Sequence, residues 1–256
     1  MAAGWEAWEA YFYPETYDTT TRQGTLRNKF GERNAHRLDV RERAATAARA
    51  QQLAAGLVQI DRTFDTEHLQ QIHRHLFQDV YEWAGELRTC RMRKDEDTEF
   101  AQPCRGEVLD LVHQVQEHIQ TVDWSVIERR RFVNNVAVIA AFMNQAHPFR
   151  EGNGRSTQWF MRHIAEQARF RIDFARVNRN DWNNASATSS PQPNRAWIDP
   201  RPLIPLIDDA TVDHNAGRSR QDPDGSMPRI RRDPGPNTGP SIEPPSGTHG
   251  SGLGLS

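Results

Sequence analysis

Cysteine is nearly missing from this chain of 256 residues, with only Cys90 and Cys104 present. Their separation makes no metal pattern, and two thiols make no disulfide scaffold, which suits a reducing compartment. Long hydrophobic runs are missing too: no apolar stretch approaches the roughly 20 residues that span a bilayer. Charge of one sign is not in excess. The 32 basic and 34 acidic residues leave a net charge of −2, so no global field favours nucleic acid or an anionic membrane. The amino-terminal stretch MAAGWEAWEAYFYPET lacks a basic start, a long apolar run and a small-residue cleavage site, so a secretory signal is not expected. No internal repeat is found. These absences leave the expectation of a soluble, cytoplasmic protein of one or two domains, with no nucleic-acid or membrane partner.

What is present is helical periodicity. In HRLDVRERAATAARAQQLAAGL, Leu38, Leu53 and Leu57 are set among alanines, the best helix formers. In TEHLQQIHRHLFQDV, Leu69, Ile72, Leu76 and Val80 recur at spacings of three and four, with Asp65 or Thr66 placed to cap the start. Val108, Leu111, Val112, Val115 and Ile119 repeat the pattern. FVNNVAVIAAFMNQA is apolar on most sides, which predicts a central, buried helix. STQWFMRHIAEQ and PLIPLIDDA read as further helices. ELRTCRMRKDEDTEFA (86–101) breaks the rhythm, with strand-like ends around the charged turn KDED, and predicts a β-hairpin whose free edge can pair with an extended peptide. The expected organisation is an N-terminal helical lead-in over 1–60 packed on the core, a main domain over 61–210, and a disordered Pro/Gly-rich tail over 211–256.

The chemistry concentrates in NQAHPFREGNGRSTQW, residues 144–159, between two predicted helices. Gly152 and Gly154 flank Asn153. Glycines tolerate positive φ, so successive backbone N–H groups can converge on an anion, and the following helix adds its free N–H groups and positive dipole end. Arg155 supplies a planar fork for phosphate oxygens. Glu151 would repel phosphate unless a cation intervened, and Mg²⁺ commonly bridges one carboxylate to nucleotide phosphates. His147 ends the buried helix before Pro148 and can take a proton near neutral pH. Phe149 is expected to point inward and anchor the loop. Each residue alone has an ordinary reading; a plain turn, however, needs neither Glu151 nor Arg155 beside His147. The histidines His68, His73 and His75 have no convincing ligand spacing, and a core or solvated role is expected of them.

HPFREGNGR at 147–155 is similar to the signature of Fic-domain proteins, His-x-Phe-x-(Asp/Glu)-Gly-Asn-Gly-Arg-x-x-Arg. YFYPET…TLRNKFG, VYEWAGELRT, FAQP and NRNDWNNAS resemble other stretches of that family, so the resemblance covers about residues 11–210. It implies a mostly α fold, a Fic-type helical bundle with a short β-hairpin flap. It also implies a nucleotidyltransferase that moves AMP from ATP to a Ser, Thr or Tyr hydroxyl of a target protein docked on the flap. In that scheme His147 deprotonates the hydroxyl, Glu151 holds Mg²⁺, and Gly152, Asn153, Gly154 and Arg155 position the phosphates.

Two departures qualify the resemblance. The second signature arginine is Gln158 here, which keeps donors but loses the charge and the fork. Weaker ATP binding, another nucleotide or phosphate donor, a non-catalytic binding module, or compensation by Arg162 one turn on are the readings this leaves. Gly154 argues against phosphotransferase variants, which carry lysine there. The family's inhibitory helix, Ser or Thr, three residues, Glu, then Gly or Asn, has no match: Thr63 to Glu67 is followed by His68. The resemblance therefore implies a toxin restrained by a separate small antitoxin.

Overall fold

The structure of the protein, a computed structural model, describes residues 8–93 and 99–214. Its described residues form seven α-helices and one two-stranded sheet. Helix α1 (Ala35–Ala54) opens on Asn34, whose side chain accepts from the Arg37 N–H. It stops before Gly56, which takes φ +66°, so Leu57, expected within the helical stretch, lies beyond the stop and is exposed. Helix α2 (Thr66–Phe77) is capped by Asp65, which accepts from the His68 N–H, and buries Leu69, Ile72, Leu76 and Phe77. Helix α3 (Glu107–Gln120) buries Val108, Val112, Val115 and Ile119, and the Trp124 indole N–H donates to the Ile119 carbonyl at 3.0 Å to close its end.

Helix α4 (Arg129–Ala146) is the central helix that its apolar composition predicts. Phe132, Val136, Ile139 and Met143 fill the space around it, and Ala137, Ala140 and Ala141 let neighbours approach closely. It packs against α3, α5 (Asn153–Ala165), α6 (Arg179–Ser189) and α7 (Ile204–Ala210), while α2 lies between α1 and α5. No helix among the described residues is long and apolar enough to cross a membrane.

Two strands that periodicity did not reveal, β1 (Phe170–Ile172) and β2 (Thr211–Asp213), pair antiparallel, with Phe170 opposite Asp213. Three residues are too few for a pattern. Residues 211–213, which the sequence reading assigns to the tail, form β2 instead. Thr211 is buried, its hydroxyl donates to the Ile207 carbonyl at 2.6 Å, and its own carbonyl accepts from Arg129 at 2.9 Å. Residues 215–256 of that tail lie outside the described residues.

The expected flap is described at its base. Arg93 and Glu99 form an antiparallel bridge, the Phe100 N–H donates to the Met92 carbonyl at 3.1 Å, and Arg91 pairs with Glu99. The KDED turn lies outside the described residues.

The loop between α4 and α5 is pressed onto α2. Gly152 takes φ +82°, and a Cβ there would meet the Phe77 ring at 2.2 Å, so only glycine fits. His73, on the same face of α2, stacks on Phe149 at 3.9 Å. Its Nδ1 accepts from the Gly85 N–H at 2.8 Å, which makes Nε2 the protonated nitrogen, donating to the Glu151 carbonyl at 3.0 Å. His68 likewise accepts from the Phe64 N–H, and its Nε2 meets His163 Nδ1 at 2.8 Å. Of the solvated or core roles expected for these histidines, the core is the one they have. Burial pushes His68 and His73 down to about 4 and His163 to about 3.

Replacing Gly152 with alanine should destabilise the fold by more than about 2 kcal/mol in urea titrations, since strain and overlap add. Gly154→Ala, with open space around its Cβ, should change stability by less than about 1 kcal/mol. Because the fold keeps His68, His73 and His163 neutral, the unfolded chain binds more protons below pH 6.5. Stability is then full above that pH and falls as pH drops toward 4, by about 2 kcal/mol per histidine between pH 7.5 and 5. An unchanged urea midpoint between those two pH values would contradict the neutral assignment.

Candidate active site

Beneath the flap base lies a cavity of about 1,100 Å³, walled by α1, by the α4–α5 loop with the start of α5, and by residues 174–186. His147, Glu151, Gly152, Asn153, Gly154, Arg155 and Gln158 all line it. Phe149 does not, and is wholly buried beneath the loop.

The loop geometry follows from α4 ending. Its last residue is Ala146, and His147 takes the left-handed conformation (φ 41°, ψ 59°) while its N–H still donates to the Met143 carbonyl. A left-handed residue other than glycine costs about 1 kcal/mol, and Pro148 disfavours right-handed helix at this position. The turn throws the His147 ring against Phe100 of the flap base, stacked at 3.9 Å between centroids and 14° between planes. Its carbonyl faces inward, where Arg88 Nε donates to it at 2.6 Å.

Asn153 fixes the loop from the other side. Its side chain accepts from the Phe149 N–H at 2.8 Å and donates to the Phe149 carbonyl at 2.7 Å, a two-point clasp on one residue's backbone. What Asn153 keeps for a ligand is its main-chain N–H, at the open end of α5. Gly154 sits within the first turn of α5 without positive φ, so the expectation that both glycines serve left-handed geometry holds for Gly152 alone. The use of Gly154 is space: nothing lies within 4 Å of where its Cβ would be, which leaves the helix end approachable.

Charge around this opening is balanced in advance. The Glu151 carboxylate, half exposed, accepts from the Gly152 N–H at 3.0 Å and lies 3.6 Å from Arg155. An anionic oxygen thus already sits on the turn. Arg155 reaches back to α1, where it pairs with the buried Glu42 and donates to the Thr46 hydroxyl at 3.0 Å, with its guanidinium 4.5 Å from the centre of the Phe77 ring. Glu42 also accepts from the Tyr81 hydroxyl. One carboxylate open to the cavity, beside free helix N–H groups and an arginine, suits Mg²⁺ carried on phosphates, which needs few protein ligands. Gln158 and Arg162 line the same cavity. Arg162 stacks on Trp159 and Phe174, and burial lowers its pKa from the ordinary arginine value.

Several contributors escaped sequence reading. Glu42 and Thr46 look like ordinary surface positions of an alanine-rich helix, and Arg88 like one more arginine near a hairpin. Arg150, the variable position of the motif, is buried with its guanidinium 3.8 Å over the Trp8 ring. Only contacts distant in sequence mark these residues, and no local pattern announces them.

Residues 63–165 match the family model described as the Fic/DOC family. Over 185 residues the chain is 32% identical to the protein adenylyltransferase VbhT of Bartonella schoenbuchensis, covering 71% of this chain and 36% of that one. It thus spans only about a third of that relative's length. It is 30% identical over 169 residues to a Sinorhizobium fredii protein named probable protein adenylyltransferase y4lH, covering 64% of this chain and 79% of that one. Its fold is similar to the N-terminal Fic domain of a VirB-translocated Bep effector protein of Bartonella quintana, solved with bound ADP. That likeness has a TM-score of 0.69 at 27% identity and covers 83% of this chain and 99% of that one. Read with a cavity built around the HPFREGNGR turn, these likenesses establish that the chain belongs to the Fic/DOC family.

Proposed function

We propose that the protein is an adenylyltransferase that moves AMP from ATP to a hydroxyl side chain of another protein. The observation that carries this reading is the placement of His147, Glu151, Arg155 and the open first turn of α5 around one cavity. Relatives named as protein adenylyltransferases and a similar domain solved with ADP support it.

The reaction is an in-line displacement. The target hydroxyl oxygen forms a bond to the α-phosphorus, the bond from that phosphorus to the bridging oxygen breaks, and pyrophosphate leaves. The imidazole of His147 takes the hydroxyl proton. The α5 N–H groups, approachable because Gly154 has no side chain, and the Arg155 fork hold phosphate oxygens in line. Glu151 would hold Mg²⁺, which neutralises phosphate charge when bound. Arg155 meets the phosphates already oriented by Glu42 and Thr46. Arg162 would supply part of the charge missing at Gln158. The target segment would pair with the flap by main-chain bonds that read backbone more than sequence. A separate antitoxin chain would restrain the enzyme in the cytoplasm, since Thr63 to Glu67 is followed by His68 where the family's inhibitory helix has Gly or Asn. A second reading, a weakened site or another nucleotide donor, rests on Gln158 itself.

With labelled ATP, Mg²⁺ and a cell extract, the wild-type protein should label a host protein at a Ser, Thr or Tyr. His147→Ala should lower that labelling at least about 100-fold while binding ADP within about threefold of wild type. Persistence of the label would remove His147 from its role. Gln158→Arg should lower KM for ATP severalfold; an unchanged KM for ATP together with faster transfer from UTP would favour the other-donor reading.

A further inference from the structure

Arg88 lies at the root of the flap and is 2% exposed. Its guanidinium donates to four acceptors, all main-chain carbonyls: His147 through Nε at 2.6 Å, Cys90 at 2.7 Å, Ala101 at 2.6 Å and Ala146 at 3.1 Å. Its own N–H donates to the Pro148 carbonyl at 2.9 Å. A buried cation held by carbonyls alone is costly, and burial lowers its pKa to about 10. Mere adhesion between a flap and a helix does not need such a group, since apolar packing would serve as well.

The choice of acceptors gives the reason. Ala146 and His147 supply terminal carbonyls of α4, which have no partner within the helix and carry the negative end of its dipole. Cys90 and Ala101 lie on the two arms of the flap, each close to a residue of the base, Met92 and Phe100. The Phe100 ring is the platform on which the His147 imidazole stacks. One planar fork therefore fixes the carbonyl of His147, the preceding carbonyl and the two arms carrying that platform, holding His147 in a left-handed conformation it would not adopt by itself.

We propose that Arg88 is a positioning residue for the reaction, locking the backbone of His147 to the flap so that the imidazole is held over the cavity before substrate arrives. This rests on the adenylyl-transfer reading. Arg88 touches no substrate. A lysine in its place keeps the charge, but its ammonium has three donors and no planar fork with which to reach four carbonyls.

The test compares Arg88→Lys and Arg88→Met with wild type, using ADP affinity, KM and kcat for transfer, and the His147 ring resonances of ¹³C-histidine-labelled protein, assigned by their loss in His147→Ala. ADP affinity and KM for ATP should stay within about threefold, while kcat falls about 10- to 100-fold, the scale of an ångström-sized misplacement. The His147 resonances should shift or broaden while those of His68 and His163, remote from the flap, stay in place. Unmoved His147 resonances in both variants would overturn the proposal, whatever happens to kcat. If Arg88→Met does not fold, Arg88→Lys carries the same comparison. If wild-type protein transfers no nucleotide to any target, the adenylyl-transfer reading fails, and the resonances still decide whether Arg88 positions His147.

Discussion

A buried helix must find partners for its last carbonyls, and the way α4 does so governs the rest of the structure. The end of α4 lies in packed surroundings, with Ala146 wholly buried, and Pro148 prevents the chain from winding on. The chain turns into the left-handed region at His147, and Arg88 donates to the carbonyls left without partners within the helix. That single arrangement sends the imidazole one way and the backbone the other. It also ties the flap base, through Cys90 and Ala101, to the same helix end. The flap and the histidine therefore share one foundation.

From there the loop is held on both sides. Phe149 is sunk against His73, and Asn153 clasps the Phe149 backbone from the start of α5. Gly152 lets the chain pass against the Phe77 ring, a contact any side chain would forbid. His73 joins the Gly85 N–H to the Glu151 carbonyl, so the residues before the flap and the loop beneath it are bridged by one ring. The loop has little freedom left, which suits a site whose proposed work is to hold phosphates in line and not to reshape itself around them.

The electrostatics are arranged with the same economy. Arg155 is oriented between Glu42, Thr46 and Glu151 and lies over Phe77. Its guanidinium is thus neither loose nor unbalanced. Glu42, also bonded to Tyr81, makes α1 part of the site and not a mere lead-in. Gln158 leaves the far side of the cavity less positive, with Arg162 one turn beyond it.

Local sequence determined a good deal. The periodicity of α2 and α3, a cap at Asp65 or Thr66, the all-round apolarity of α4 and the HPFREGNGR turn were each legible, because spacing along a helix and the stereochemistry of glycine and proline are short-range properties. The left-handed need at Gly152 was legible too; the same argument failed at Gly154, whose lack of a side chain leaves room and does not bend the backbone. Tertiary structure alone decided the remainder. The stop at Gly56 that strands Leu57, the β1–β2 pairing that draws in Thr211, the Glu42–Arg155 pair and the four carbonyls around Arg88 all join residues far apart in the chain. A guanidinium reads the same in sequence whether it faces water or a buried helix end, and only packing settles which.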